Sequence, residues 1–163
     1  MGSLARIPGG SLTNDAHDLA RFVDAQRGSY ERALAEITSG RKRSHWMWYV
    51  FPQLAGLGVS ATSRQYAIAS LAEAEAYLRH ELLGPRLVAC ANAALAVEGG
   101  SAREIFGSPD DLKLRSSATL FAQVSAAGSV FHRLLDKYFG GEPDQATLRL
   151  IAASGASSAR RGP

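Results

Sequence analysis

Only one cysteine, Cys90, occurs in the 163 residues, so neither an intramolecular disulfide nor a cysteine-based zinc cluster can form. Cysteine usage of this kind points to a reducing cytoplasm. Long apolar runs are missing too. None approaches the roughly 18 residues of a membrane span, and the N-terminus lacks the basic-then-apolar order of a signal peptide. Met1-Gly2 is followed at position 6 by Arg, which breaks the myristoylation pattern. Histidine is sparse: His17, His45, His80 and His132 are scattered without ligand spacing, so no metal and no cofactor are expected. GxSxG, HExxH, GxGxxG and Walker A patterns are all absent. Adjacent carboxylates stand only at Asp110-Asp111, which leaves a glycosidase without a second well-placed acid. Whether the protein is an enzyme stays open.

A broad basic surface is lacking as well, despite a pI near 9.3. Setting aside Arg6, Arg160 and Arg161 reduces the 18 Lys and Arg to 15, equal to the 15 Asp and Glu that all lie between residues 14 and 153. A formally neutral body makes nucleic acid a poor partner. The Gly-, Ser-, Ala- and Arg-rich ends, 1–13 and 154–163, read as disordered tails around one folded unit, 14–153.

What the chain does have is one dense stretch, Gly40 to Gly58, GRKRSHWMWYVFPQLAGLG. Arg41, Lys42 and Arg43 precede Ser44, a good N-cap residue, so a helix is expected to begin at Ser44. Unpaired N–H groups of its first turn, the helix dipole and three cations would together favour an anion. The plainer reading is an exposed, solvated basic loop. His45 to Phe51 then holds both tryptophans, Tyr49 and Phe51, and at helical spacing these point around the whole circumference, which requires burial or a cavity. Trp46, Trp48 and Phe51 are accordingly expected in the core. His45, at a helix start, is the candidate catalytic base or ligand donor, with a structural histidine as the alternative. Pro52, Gly56 and Gly58 end the element in a tight turn.

Elsewhere the apolar spacing i, i+3, i+4, i+7 predicts helices through Ala16, Leu19, Ala20, Val23 and through Tyr30, Ala33, Leu34, Ile37, the second stopped by Gly40. Gln26 closes the first and either turns inward beside the central motif or, the favoured reading, faces solvent. Ser60 to Ile68 is a connector or short helix. Capping boxes at Ser70–Glu73 and Ser101–Glu104 open two more, and Pro85 fits the first turn of an alanine-rich helix ending before Gly99-Gly100. Ser108-Pro109-Asp110-Asp111 reads as a capping serine, proline at N1 and two carboxylates at the positive end of the dipole. Lys113 and Ser116 follow on the same helix, within reach of a bound anion, although Asp110 and Lys113 also make an ordinary i, i+3 surface pair. Further helices are expected around Phe131–Phe139 and Asp144–Ile151. No stretch alternates like a strand. An all-α orthogonal bundle of about seven to nine short helices follows from usual helix lengths, with the HWMW helix at its centre.

The strings GRKRSHWMW (40–48), FPQLAGLG (51–58), EAEAYL (73–78), LGPRL (83–87), IFGSPDDLKLRSSATLF (105–121) and DKYFGG (136–141) together resemble the bacterial Domain of Unknown Function 1810 family, sometimes labelled calpastatin-like. HWMW followed by FPQ is a rare combination, and the similarity spans residues 15 to 152. The resemblance implies a compact, mainly helical cytoplasmic domain and no established activity. It departs at Glu81, after His80, where proline is expected; that bears on how sharply the neighbouring helix ends.

Two functions fit these features. One is a small-molecule site for an anionic, phosphate-bearing or nucleotide-like ligand, with Lys42 and Arg43 holding the anion, His45 as base or donor, Trp48 stacking, Gln53 orienting, and Lys113 and Ser116 nearby. The other is a module that presents Trp46 or Trp48 on an exposed face to a protein or a single nucleic-acid strand.

Overall fold

A computed structural model describes residues 15–160, with side-chain surroundings through residue 155. The expected N-terminal tail, 1–13, lies outside the described residues. Ten helices are present among them: α1 (Ala20–Gln26), α2 (Tyr30–Ser39), α3 (Met47–Val50), α4 (Ala61–Gln65), α5 (Leu71–Arg79), α6 (Leu83–Ala96), α7 (Ala102–Phe106), α8 (Asp110–Ala122), α9 (Val130–Phe139) and α10 (Gln145–Arg160). The fold is all-α, and an isolated parallel bridge pairs Leu54 with Ile68. Helix α10 runs on beyond residue 153, so the expected start of the C-terminal tail falls inside it.

Local signals account for most of the boundaries. Ser70 accepts from Glu73 N at 3.1 Å, and Ser101 with Glu104 forms a complete capping box at α7, satisfying N–H groups that have no partner within the helix. Helix α2 ends at Gly40, whose φ of 85° is the left-handed cap that an L side chain adopts only under strain. At Glu81 the expected proline proves unnecessary. His80 Nδ1 accepts from Leu82 N at 3.1 Å and Leu83 N at 3.2 Å, so the imidazole holds the start of α6, while the His80 backbone N–H closes α5 by donating to Ala76 O and Tyr77 O. Gly84 is held to glycine by packing: an added Cβ would stand 2.1 Å from the Leu78 carbonyl oxygen.

The HWMW segment supplies Trp46, Met47, Val50 and Phe51 to the core, as its all-round apolar pattern requires. The helix packed on the most sides, however, is α8, which meets α5, α7, α9 and α10. Ser116 through Ala122 are all buried. Two of the small polar residues there are tolerable because they turn back on their own helix: Ser116 Oγ donates to Leu112 O at 3.1 Å and Thr119 Oγ1 to Arg115 O at 2.8 Å, whereas Ser117 Oγ has no hydrogen-bond partner among the described residues.

Several local expectations are corrected. The helix does not begin at Ser44; α3 starts at Met47, is four residues long and has no side-chain cap. Ser108 does not cap α8 either, since Pro109 occupies the cap position without a side-chain bond. Gln26 is buried, not solvated: its Nε2 donates to Tyr49 O at 2.8 Å and Tyr77 Oη at 3.1 Å, and Arg86 donates to its Oε1 at 3.3 Å. A buried amide in this position ties α1, α3, α5 and α6 together through one side chain.

Candidate functional site

The basic loop does bind an anion, and the anion is the protein's own. Glu36, near the end of α2, points its carboxylate into the turn between Gly40 and Trp46. Oε1 accepts from Arg43 N at 2.8 Å, Ser44 N at 3.0 Å and Trp46 Nε1 at 2.8 Å, while Oε2 accepts from Ser44 Oγ at 2.6 Å. Partial burial by itself would raise this carboxyl, but the four hydrogen bonds outweigh that and hold it down at about 2. As at a helix start, backbone N–H groups hold the anion, but here they belong to a loop and two side-chain donors join them. Arg43 therefore contributes its backbone, with its side chain exposed.

Lys42, expected in an exposed loop, is instead enclosed, with 8% of its side chain exposed. Its ammonium lies 2.8 Å from Asp110 Oδ2, donates to Ser44 O and sits 5.0 Å from the Trp46 ring centroid. The loop backbone is pinned as well, Lys42 N donating to Ile105 O at 2.7 Å. Lys113 meets the other oxygen of the same carboxylate at 3.0 Å and lies 4.9 Å from the Trp48 ring centroid. Asp110 thus bridges two ammonium groups, each resting on an indole face, and the cluster carries one positive charge in excess.

The two tryptophans part company here. Trp46 is 1% exposed and packs edge-on against Phe106 at 6.4 Å. Trp48 is only half-buried and, with Gln53, faces a cavity of about 270 Å³. Tyr66, Arg64 and Ser63 from the α4 region complete the polar and aromatic side of that cavity, and Leu54, Ala55, Gly56, Gly58 and Ala67 line the rest. Arg64 donates to the Val59 carbonyl and makes no ion pair with a carboxylate among the described residues. Tyr66 stacks obliquely on Tyr49, with ring centroids 5.4 Å apart.

Of the residues expected at the site, the fold therefore brings Trp48 and Gln53 to one cavity and places Lys113 over Trp48, with Lys42 behind it across Asp110. His45 is exposed and is not among the cavity's lining residues. Ser116 is buried within α8 and bonded to Leu112 O. Arg64, Tyr66 and Ser63 escaped the sequence reading because the connector containing them looked merely polar. Their only signal was a cation and an aromatic, one and three residues after Ser63, in and just after a short helix capped by Ser60, which accepts from Ser63 N at 3.1 Å. Among the described residues no group of three His, Cys, Asp or Glu side chains could hold a metal ion, and no helix is long and apolar enough to cross a membrane.

A family model described as a protein of unknown function (DUF1810) matches residues 16–151. The conserved hypothetical protein Rv1873 from Mycobacterium tuberculosis, in a crystal structure at 1.38 Å, is 55% identical and shares the fold with a TM-score of 0.81. That match covers 83% of this chain and 96% of the other. No curated protein matches. The chain belongs to the DUF1810 family.

Proposed function

We propose that this DUF1810 member binds a small molecule carrying a planar ring and an anionic group in the Trp48 cavity. The observation that carries the reading is the half-buried Trp48 ring, which lines a cavity of about 270 Å³ with Tyr66, Gln53 and Arg64 while Lys113 rests over it. A concave aromatic wall with a few convergent polar groups is what a ligand site needs. Aromatic faces supply stacking, Arg64 offers a guanidinium with no carboxylate partner among the described residues, and Gln53 offers both a donor and an acceptor for orientation. The excess charge of the Lys42–Asp110–Lys113 cluster favours a negative ligand on the Trp48 side. Nucleotides and aryl phosphates combine the required ring and charge.

This reading moves the anion contact away from Lys42 and Arg43. Lys42 is already committed to Asp110, and the N–H groups beside Arg43 are committed to Glu36. A thermal-shift screen of nucleotides, sugar phosphates and nucleotide sugars, followed by calorimetry on any hit, tests it. Binding should be lost in Trp48→Ala and Arg64→Ala and kept in His45→Ala. Hits that bind the Trp48→Ala protein unchanged would remove the cavity from consideration.

A further inference from the structure

We infer that the ring taken by the Trp48 cavity is a nucleobase, read along its edge by the Gln53 amide, and that the ligand is a nucleoside monophosphate; this rests on the ligand-binding reading above. Among the residues lining the cavity, Gln53 alone carries a donor and an acceptor in one plane. Its side chain is half-buried and makes no hydrogen bond among the described residues. Neither amide atom is among those buried without a partner, so both remain reachable. Gln26 shows the contrast, its amide being spent on Tyr49 O, Tyr77 Oη and Arg86. The other polar side chains of the cavity are engaged or one-sided. Ser63 Oγ donates to Ser60 O at 2.9 Å and accepts from Ser60 Oγ at 3.0 Å, Tyr66 has a single hydroxyl, and Arg64 only donates.

An amide discriminates between ligands only from a fixed backbone, and that of Gln53 is fixed. Ile68 N donates to Gln53 O at 2.8 Å, Ala55 N donates to Ile68 O at 2.8 Å, and the preceding Pro52 is buried. A plain aryl ring against this wall would exclude water and leave the amide without partners, whereas a base edge with neighbouring donor and acceptor pairs both groups. The same lining sets the number of phosphates. Arg64 is the one cation among the described residues that line the cavity, because Lys42 and Lys113 share Asp110. One guanidinium matches one phosphate. Lys113 lies over Trp48 without lining the cavity, so the cavity meets the indole where the ammonium leaves it bare for stacking.

Four compounds titrated calorimetrically into the full chain separate this inference from the reading beneath it: AMP, UMP, phenyl phosphate, and purine riboside 5′-monophosphate, which keeps the shape of AMP without its amino donor. AMP or UMP should bind at least about tenfold tighter than phenyl phosphate and the purine riboside compound, the usual worth of a paired amide and base edge. Gln53→Leu, which keeps the size of the side chain and the backbone bonds, should abolish that advantage and leave phenyl phosphate affinity intact. Trp48→Ala should weaken all four, because stacking is common to them. Equal affinity for all four compounds, or a nucleotide advantage that survives Gln53→Leu, would overturn the base reading and leave the cavity standing. Failure of all four to bind would overturn the base reading and the cavity together.

Discussion

Replacing Glu36 by Gln removes the internal anion on which the basic loop is built. The carboxylate accepts four hydrogen bonds from Arg43 N, Ser44 N, Ser44 Oγ and Trp46 Nε1, whereas an amide offers one accepting oxygen and turns an NH2 group toward donors. The carboxyl sits at about 2 in the fold against an ordinary 4.5. At about 1.4 kcal/mol per pKa unit that difference would amount to roughly 3 kcal/mol, and solvent around a partly exposed carboxylate reduces it to about 2 kcal/mol. Because the folded pKa is the lower one, the stabilisation is fully present above 4.5 and fades as pH falls from there toward 2. Urea denaturation of the parent and Glu36→Gln at pH 7 and at stepped acid values measures both features. The variant should be about 2 kcal/mol less stable at pH 7, and the gap should narrow below pH 4.5. Equal midpoints at pH 7, or a gap that stays constant through the acid range, would refute the assignment.

Four further outcomes follow from the packing. Trp46→Ala should cost about 3 to 5 kcal/mol by chemical denaturation, because a fully buried ring leaves a cavity beside Phe106 and deprives Glu36 of a donor. Trp48→Ala should cost under about 2 kcal/mol, since its ring already faces a cavity and solvent; a larger loss would put Trp48 in the core. Lys42→Ala should destabilise by about 1 to 3 kcal/mol through lost hydrogen bonds to Asp110 and Ser44, against no change for an exposed loop residue. The Cys90 thiol, buried and pushed up to about 12, should react with a disulfide reagent only as fast as the protein unfolds.

Much of the helical framework can be read from local pattern. Gly40 as a terminator, Ser70 and Ser101 as caps, and the apolar face of Tyr30 to Ile37 are each decided within one or two turns of chain. The prominence of α8 is not, because Ser116 and Thr119 resemble surface residues until their bonds to preceding carbonyls are known, and Ser117 does so until its burial is known. Gln26 likewise sits at a helix end where solvent is the usual partner, and only the distant Tyr77 and Arg86 make its burial tolerable. The candidate site divides along the same line. Chemistry favouring an anion near Ser44 is present in the sequence, but Glu36 reaches it from across Gly40, so the nest is occupied from within. Trp48 and Gln53 are recognisable as chemistry-bearing residues. Their joining by Arg64 and Tyr66 depends on the Leu54–Ile68 bridge, a contact between segments with no strand pattern.

The two indole N–H groups offer the most direct test of where a ligand binds. In a nitrogen–proton correlation spectrum of the labelled chain, Trp46 Nε1 is held by Glu36 while Trp48 faces the cavity. Titration with AMP or phenyl phosphate should move the Trp48 indole and the amides of Gln53, Arg64 and Tyr66, leaving the Arg43 and Ser44 amides and the Trp46 indole in place. Shifts concentrated at Arg43, Ser44 and Trp46, with Trp48 unmoved, would contradict the account and return the site to the basic loop.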